Sequence, residues 1–149
     1  MEEIVSSLRI LVEESQTLFH SIPDKVWAYK PYENKWSKKE ILGHLIDSAH
    51  VNYDGIVRVQ VEIMPLIIYN QDQWVNIQQY QLHPPKELIT TWVVLNRRLI
   101  RLIELIPYEN LTRKALDSNK EQLTLQFLIT DYVRHLKHHL DRIFLYSEK

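Results

Sequence analysis

The sequence contains no cysteine. That excludes disulfides, thiolate-held zinc, iron–sulfur clusters and a cysteine nucleophile. Any metal must therefore be held by imidazole, carboxylate or water. Glycine is scarce as well, with only Gly43 and Gly55. Phosphate-cradling loops need clustered glycines and are ruled out. Tight two-residue hairpins also lean on glycine, which weighs against an all-β fold. Charge of one sign is lacking: 18 basic against 19 acidic residues leave a formal net charge of −1. Neither nucleic acid nor an anionic membrane is expected as a partner. No apolar run approaches the roughly 18 residues that span a bilayer, and Met1-Glu2-Glu3-Ile4 lacks the basic and apolar regions of a signal peptide. These absences lead to the expectation of a soluble, cytoplasmic protein. At 149 residues the chain is expected to form one domain, 1–149, able to bury a core unaided.

What is present is helical periodicity punctuated by six prolines. Pro23 and Pro31 fall in a first gap, Pro65 in a second, Pro84 and Pro85 at the end of that second region, and Pro107 in a third. Segment one runs from about Glu2 to Ile22, with Ile4, Leu8, Leu11, Ser15, Leu18 and Ile22 in its stripe, flanked by Val5, Val12 and Phe19. Segment two starts at Ser37, where Ser37 and Glu40 form a capping box, and continues to about Ile63. It places Ile41, His44, Leu45, Ser48, Asn52 and Val59 near one side. Segment three begins after Pro84-Pro85, proline being well tolerated at a first helical position, and its stripe is Leu88, Trp92, Leu95, Leu99, Leu102 and Ile106. Segment four runs from near Gln122 to about Tyr146, with Leu125, Leu128, Tyr132, His135, His139, Arg142 and Tyr146 in register. Four such segments predict an all-α, four-helix bundle. The connection from Met64 to Pro84 is long enough to cross from one end to the other, and a short extra helix is expected within Tyr69–Ile77.

His135 and His139 lie four residues apart, so on a helix they share one face and can grip one divalent ion. They occupy seam positions where leucine would be ordinary. Imidazole buried there costs free energy unless its nitrogens are paired, and two neighbouring imidazoles resist joint protonation. A third histidine, His44, lies on the buried side of segment two. Three neutral imidazoles would cap one side of a metal and leave positions for water or substrate. Asp47 and Asp131, each one turn from a histidine, are candidates to hold the rings in orientation. His138 points away from the pair and is expected at the surface. His20, His50 and His83 are taken as incidental, with His50 a reserve ligand. Arg134, Arg142, Tyr132 and Trp74 are candidates to orient a substrate. On residue types alone, core histidines bonded to water, or partly exposed ones on a frayed helix, would also account for the pair.

Three motifs carry a family resemblance. They are Trp36-Ser37-x-x-Glu40-Ile41-Leu42-Gly43-His44-Leu45-Ile46-Asp47-Ser48, then Tyr69-x-x-x-x-Trp74-Val75, then Asp131-Tyr132-x-x-His135-x-x-His138-His139-Leu140-x-x-Ile143. In this order and spacing the chain resembles the DinB/YfiT-like family over nearly its whole length, the YfiT-like, bacillithiol-transferase-like group above all. The resemblance implies a four-helix bundle with a metal on its inner face, held by His44, His135 and His139. It implies nickel or zinc as the ion and a homodimer as the assembly. It also implies transfer of a small thiol, such as bacillithiol or mycothiol, onto an electrophile, or metal-dependent hydrolysis. Transfer is favoured on these family grounds. The alternative is a non-catalytic, stress-related binding or dimerisation module whose metal, if any, is structural.

Overall fold

The computed structural model describes residues 1–145. Tyr146, assigned from periodicity to the last stripe, lies outside them. Among the described residues six α-helices form: α1 (Glu2–Phe19), α2 (Asp24–Ala28), α3 (Lys38–Val61), α4 (Gln71–Gln78), α5 (Pro85–Glu104) and α6 (Leu125–Leu145). A short antiparallel hairpin, β1 (Lys114–Leu116) with β2 (Gln122–Thr124), precedes α6. No helix among the described residues is long and apolar enough to cross a membrane.

The four long helices are α1, α3, α5 and α6. Both α1 and α3 pack against α5 and α6, which puts α1 and α3 across a diagonal. Arg9 meets Glu104 and Arg97 meets Gln16, so α1 and α5 are antiparallel. Lys38 at the start of α3 donates to the Ile143 carbonyl near the end of α6, so these two are antiparallel as well. Asn110, just beyond α5, donates to Gln60 at the end of α3 at 3.2 Å. The consecutive long helices α3 and α5 therefore end at the same end of the bundle and run parallel. The chain between them must return the full length of the bundle, which explains the long connection.

That return is structured. It starts beside the hairpin, where Ile67 donates to the Leu116 carbonyl and Leu116 to that of Pro65, both at 2.9 Å. It then runs back along α3. Ile67 lies against Gly55, and Tyr80 against Gly43. Gln81, in the 3-10 turn Tyr80–Leu82, takes hydrogen bonds from Ser37 and Lys39. With α5, α6 and this strap around it, α3 is buried on every side from Ile41 to Ala49. A helix covered all round shows no clean apolar stripe.

Local signals behave as their chemistry requires. Ser37 and Glu40 form a reciprocal capping box, and Pro85 sits in the first turn of α5. The expected extra helix is α4, capped by the Asn70 side chain. Three readings need correction, in segment four, α1 and α5. Segment four begins as strand: Gln122–Thr124 pairs with β1, and helix starts only at Leu125. The hairpin forms without glycine because Lys120 takes a left-handed conformation (φ 61°) and Asp117 accepts from the Asn119 and Glu121 amides. In α1 the buried line is Val5, Leu8, Val12, Ser15 and Phe19, with Leu18 exposed. In α5 it is Leu88, Trp92, Asn96, Leu99 and Ile103, so Leu95 and Leu102 flank the core rather than centre it.

Candidate metal centre

The Ser37 cap starts α3 so that His44 falls two turns in, on the side facing α6. His44 is completely buried and His139 nearly so, at 7% exposure. His135, one turn before His139, is half-buried and is the side of the cluster nearest solvent. His44 Nε2 lies 3.1 Å from His135 Nε2. The ring centroids are 5.0 Å apart for His44–His135, 4.7 Å for His44–His139 and 4.5 Å for His135–His139. One nitrogen from each ring lies within 4.8 Å of the others.

Two bare lone pairs do not face each other at 3.1 Å without a proton or a cation between them. Metal–imidazole bonds of about 2.0–2.1 Å put cis ligand nitrogens roughly 3.0–3.4 Å apart, so the cluster needs only small adjustments to close around one ion. The protonation state suits ligation. Burial lowers the His44 pKa to about 4, helped by the charges of His135 and Arg142. Burial lowers His139 to about 3, with His135, His44, Arg142 and His138 adding to it. His135 is lowered as well, chiefly by burial and partly offset by Asp131. All three rings are neutral near pH 7, which is the form that binds metal. His139 Nδ1 is buried without a hydrogen-bond partner among the described residues. A buried imidazole nitrogen left bare is costly, and a cation would relieve it. The residues present fit a divalent ion.

The ring-orienting partners differ from those expected. Asp47 is buried, but its Oδ1 accepts from the Tyr80 hydroxyl at 2.5 Å and from Gln78 at 2.6 Å rather than from a histidine. Its Oδ2 has no partner among the described residues, and burial raises its pKa. Asp131 is held by Arg134 at 2.5 Å. The group facing His44 Nδ1 is the Tyr69 hydroxyl, 3.4 Å away. Burial, and then the charge of Asp47, push the Tyr69 pKa up to about 12, so it stays a phenol. If His44 Nε2 is the ligand, Nδ1 carries the proton and donates to the Tyr69 oxygen. Tyr69 stands in the second motif, but nothing in its spacing announced that the strap would bring it to His44. Trp36 packs against His44 at 5.1 Å between ring centroids, and Trp74 packs edge-on against Tyr69 at 5.2 Å. Tyr132, read as a substrate-orienting candidate, is instead a core residue donating to Asn96 at 2.6 Å. His20, His50, His83 and His138 are exposed.

The sequence matches the DinB superfamily over residues 8–143. The fold is similar to that of YfiT from Bacillus subtilis, described as a probable metal-dependent hydrolase with an unusual four-helix bundle topology. That likeness has a TM-score of 0.86 at 19% identity, over 95% of this chain and 82% of the other. It is also similar to a mycothiol-dependent maleylpyruvate isomerase, with a TM-score of 0.80 at 9% identity over 96% of this chain and 60% of the other. A DinB-like protein of Bacillus subtilis, YjoA, gives 0.68 at 21% identity over 97% and 88%. No curated protein matches the sequence.

Proposed function

The chain belongs to the DinB superfamily, and on that footing we propose that it is a metal-dependent enzyme whose His44, His135 and His139 hold one divalent transition-metal ion and leave room beside it for a small thiol or a water. The carrying observation is the convergence of three neutral imidazoles, one with a bare buried nitrogen, from two distant stretches of chain. An all-imidazole set suits zinc, nickel, copper or iron, and the family resemblance favours nickel or zinc among them. When bound, such an ion lowers the pKa of a thiol or water in its open position and so supplies a nucleophile near neutral pH. The chain's own part is to position and exclude. Burial of His44 and His139 keeps water from one side of the site, while half-exposed His135 leaves an approach from the other. Trp36, Tyr69 and Trp74 form an aromatic wall against which an apolar electrophile can lie.

Transfer of a small thiol is favoured over hydrolysis. The chain supplies no thiol of its own, and a protein of this fold depends on mycothiol. Hydrolysis is the second reading, because another relative by fold is described as a metal-dependent hydrolase. A single domain, expected from the length of the chain, and a homodimer, implied by the family resemblance, belong to this reading.

Elemental analysis of protein purified without chelator tests the proposal. The expected result is close to one nickel or zinc per chain, absent from the His44→Ala variant. Preparations free of transition metal after exposure to both ions would overturn it. Metal-dependent turnover of an ester with no thiol added would reverse the preference for transfer. The role given to Tyr69 makes a separate prediction. Tyr69→Phe should weaken metal binding about 10–100-fold, the usual cost of losing a partner that orients a ligating histidine, with the helical fold intact. Competition against a coloured chelator measures it.

A further inference from the structure

The side chains suggested by sequence as substrate-orienting are mostly committed elsewhere. Tyr132 is buried against Asn96. Arg134 is tied to Asp131. Trp74 packs on Tyr69. Arg142 differs. It continues the α6 stripe that carries His135 and His139, seven and three residues before it, so its side chain leaves the helix on the histidine face about one turn beyond His139. It is half-buried. Its neighbour Ile143 accepts a hydrogen bond from Lys38 at the start of α3, so this turn of α6 lies against the helix that carries His44.

No hydrogen bond or ion pair engages Arg142 among the described residues, and the described acidic side chains on the elements around it are already taken. Glu40 caps α3 and meets Lys30. Asp131 is held by Arg134 and Asp141 by Lys137. Asp47 accepts from Tyr80 and Gln78. A half-buried guanidinium on the helix face that carries neutral imidazoles favours a counter-anion. Its planar fork matches a carboxylate better than any other common small anion except phosphate.

We propose that Arg142 is the anion-recognising residue of the histidine site, and that the small molecule bound there carries a carboxylate which pairs with this guanidinium while its reactive end lies at the three histidines. The helix rise sets the size of that molecule. Three residues advance about 4.5 Å along α6, so the carboxylate and the reacting atom stand only a few bonds apart. The location of the reactive end rests on the metal reading above; the carboxylate contact does not.

Two probes of equal reach separate the ideas. These are 3-mercaptopropionate, a thiol with a carboxylate, and 2-mercaptoethanol, a thiol without one. Protein loaded with cobalt(II) is titrated with each and followed by thiolate-to-metal absorption. The expected result is affinity for 3-mercaptopropionate at least about tenfold higher, the usual worth of a charge-assisted hydrogen bond. Arg142→Gln should abolish that preference, and Arg142→Lys should keep part of it. In metal-free protein, 3-mercaptopropionate should shift the Arg142 Nε–H resonance of the wild type at millimolar concentrations. It should leave the histidine resonances of Arg142→Gln unchanged. Equal affinities for the two thiols in the wild type, or a preference that survives in Arg142→Gln, would overturn the proposal. Inorganic phosphate binding more tightly than the carboxylate would overturn the ligand class. If cobalt is not taken up at all, the metal reading fails, and the metal-free titration still decides the role of Arg142.

Discussion

The His139→Ala variant is expected to lose its metal and keep its fold. His139 contributes one of three converging nitrogens and sits at the buried end of the set. With two imidazoles left, only the His44–His135 pair remains, and metal affinity should fall by more than the roughly hundredfold lost with an outer partner. The helices should survive, because packing of Leu136, Leu140 and Ile143 from α6 holds the bundle independently of the ligand. Metal content and far-ultraviolet circular dichroism check both halves. If removing His139 unfolds the protein along with the metal, the ion is a structural clamp rather than a working centre.

The same variant carries a pH signature. In metal-free wild type, burial holds the three histidines below their ordinary pKa, so between pH 6.5 and about 4 the unfolded chain binds more protons than the folded one. Stability must therefore fall as pH drops through that window. His139→Ala removes one of these groups, and with it some of the mutual repulsion felt by His44 and His135. Its metal-free stability should decline less steeply with acid, which denaturant titrations at pH 7 and pH 5 would measure. An unchanged slope would mean that His139 is not held neutral by the fold.

Gly43→Ala is expected to be the most destabilising small substitution in the chain. In an open helix this change stabilises by roughly 1 kcal/mol. Here a methyl group at position 43 would lie 2.0, 2.2 and 2.4 Å from three carbons of the Tyr80 ring. The ring cannot simply swing aside. It is buried, and its hydroxyl is anchored on Asp47 at 2.5 Å. Overpacking together with a disrupted buried hydrogen bond should cost about 3–5 kcal/mol. For a chain of this length that lowers the melting temperature by about 10 °C or more. Pairing the change with Tyr80→Ala isolates the cause: in that background the cost of Gly43→Ala should largely vanish. A neutral or stabilising Gly43→Ala would show that the strap is not pressed onto α3 as described. Because Asp47 and Tyr69 belong to the same strap contacts, weakened metal binding should accompany the loss of stability.

The parts of the protein legible in its sequence are those set by near neighbours. Ser37 and Glu40 lie three residues apart, so their capping box is a property of one turn of chain. His135 and His139 share a face because any helix through them must place them so. The length of the 62–84 connection allowed parallel consecutive helices before any contact was known. The misread positions share another cause. Leu18 beside Phe19, and Leu102 beside Ile103, offer two apolar stripes about 100° apart, and only the neighbouring helices choose between them. Gln122–Thr124 reads as a helical start, yet pairing with Lys114–Leu116 makes it strand.

The centre divides in the same way. Which residue types can bind a cation, and that two of them stand one turn apart, follow from the order of amino acids. That His44 comes within 3.1 Å of His135, that Tyr69 rather than an aspartate faces its Nδ1, and that Arg142 has no partner among the described residues while Arg134 is paired do not. Each depends on residues tens of positions apart brought together by packing α3 between α5, α6 and its own returning strap. Periodicity encodes the face that a helix presents; only the assembled core decides what meets that face.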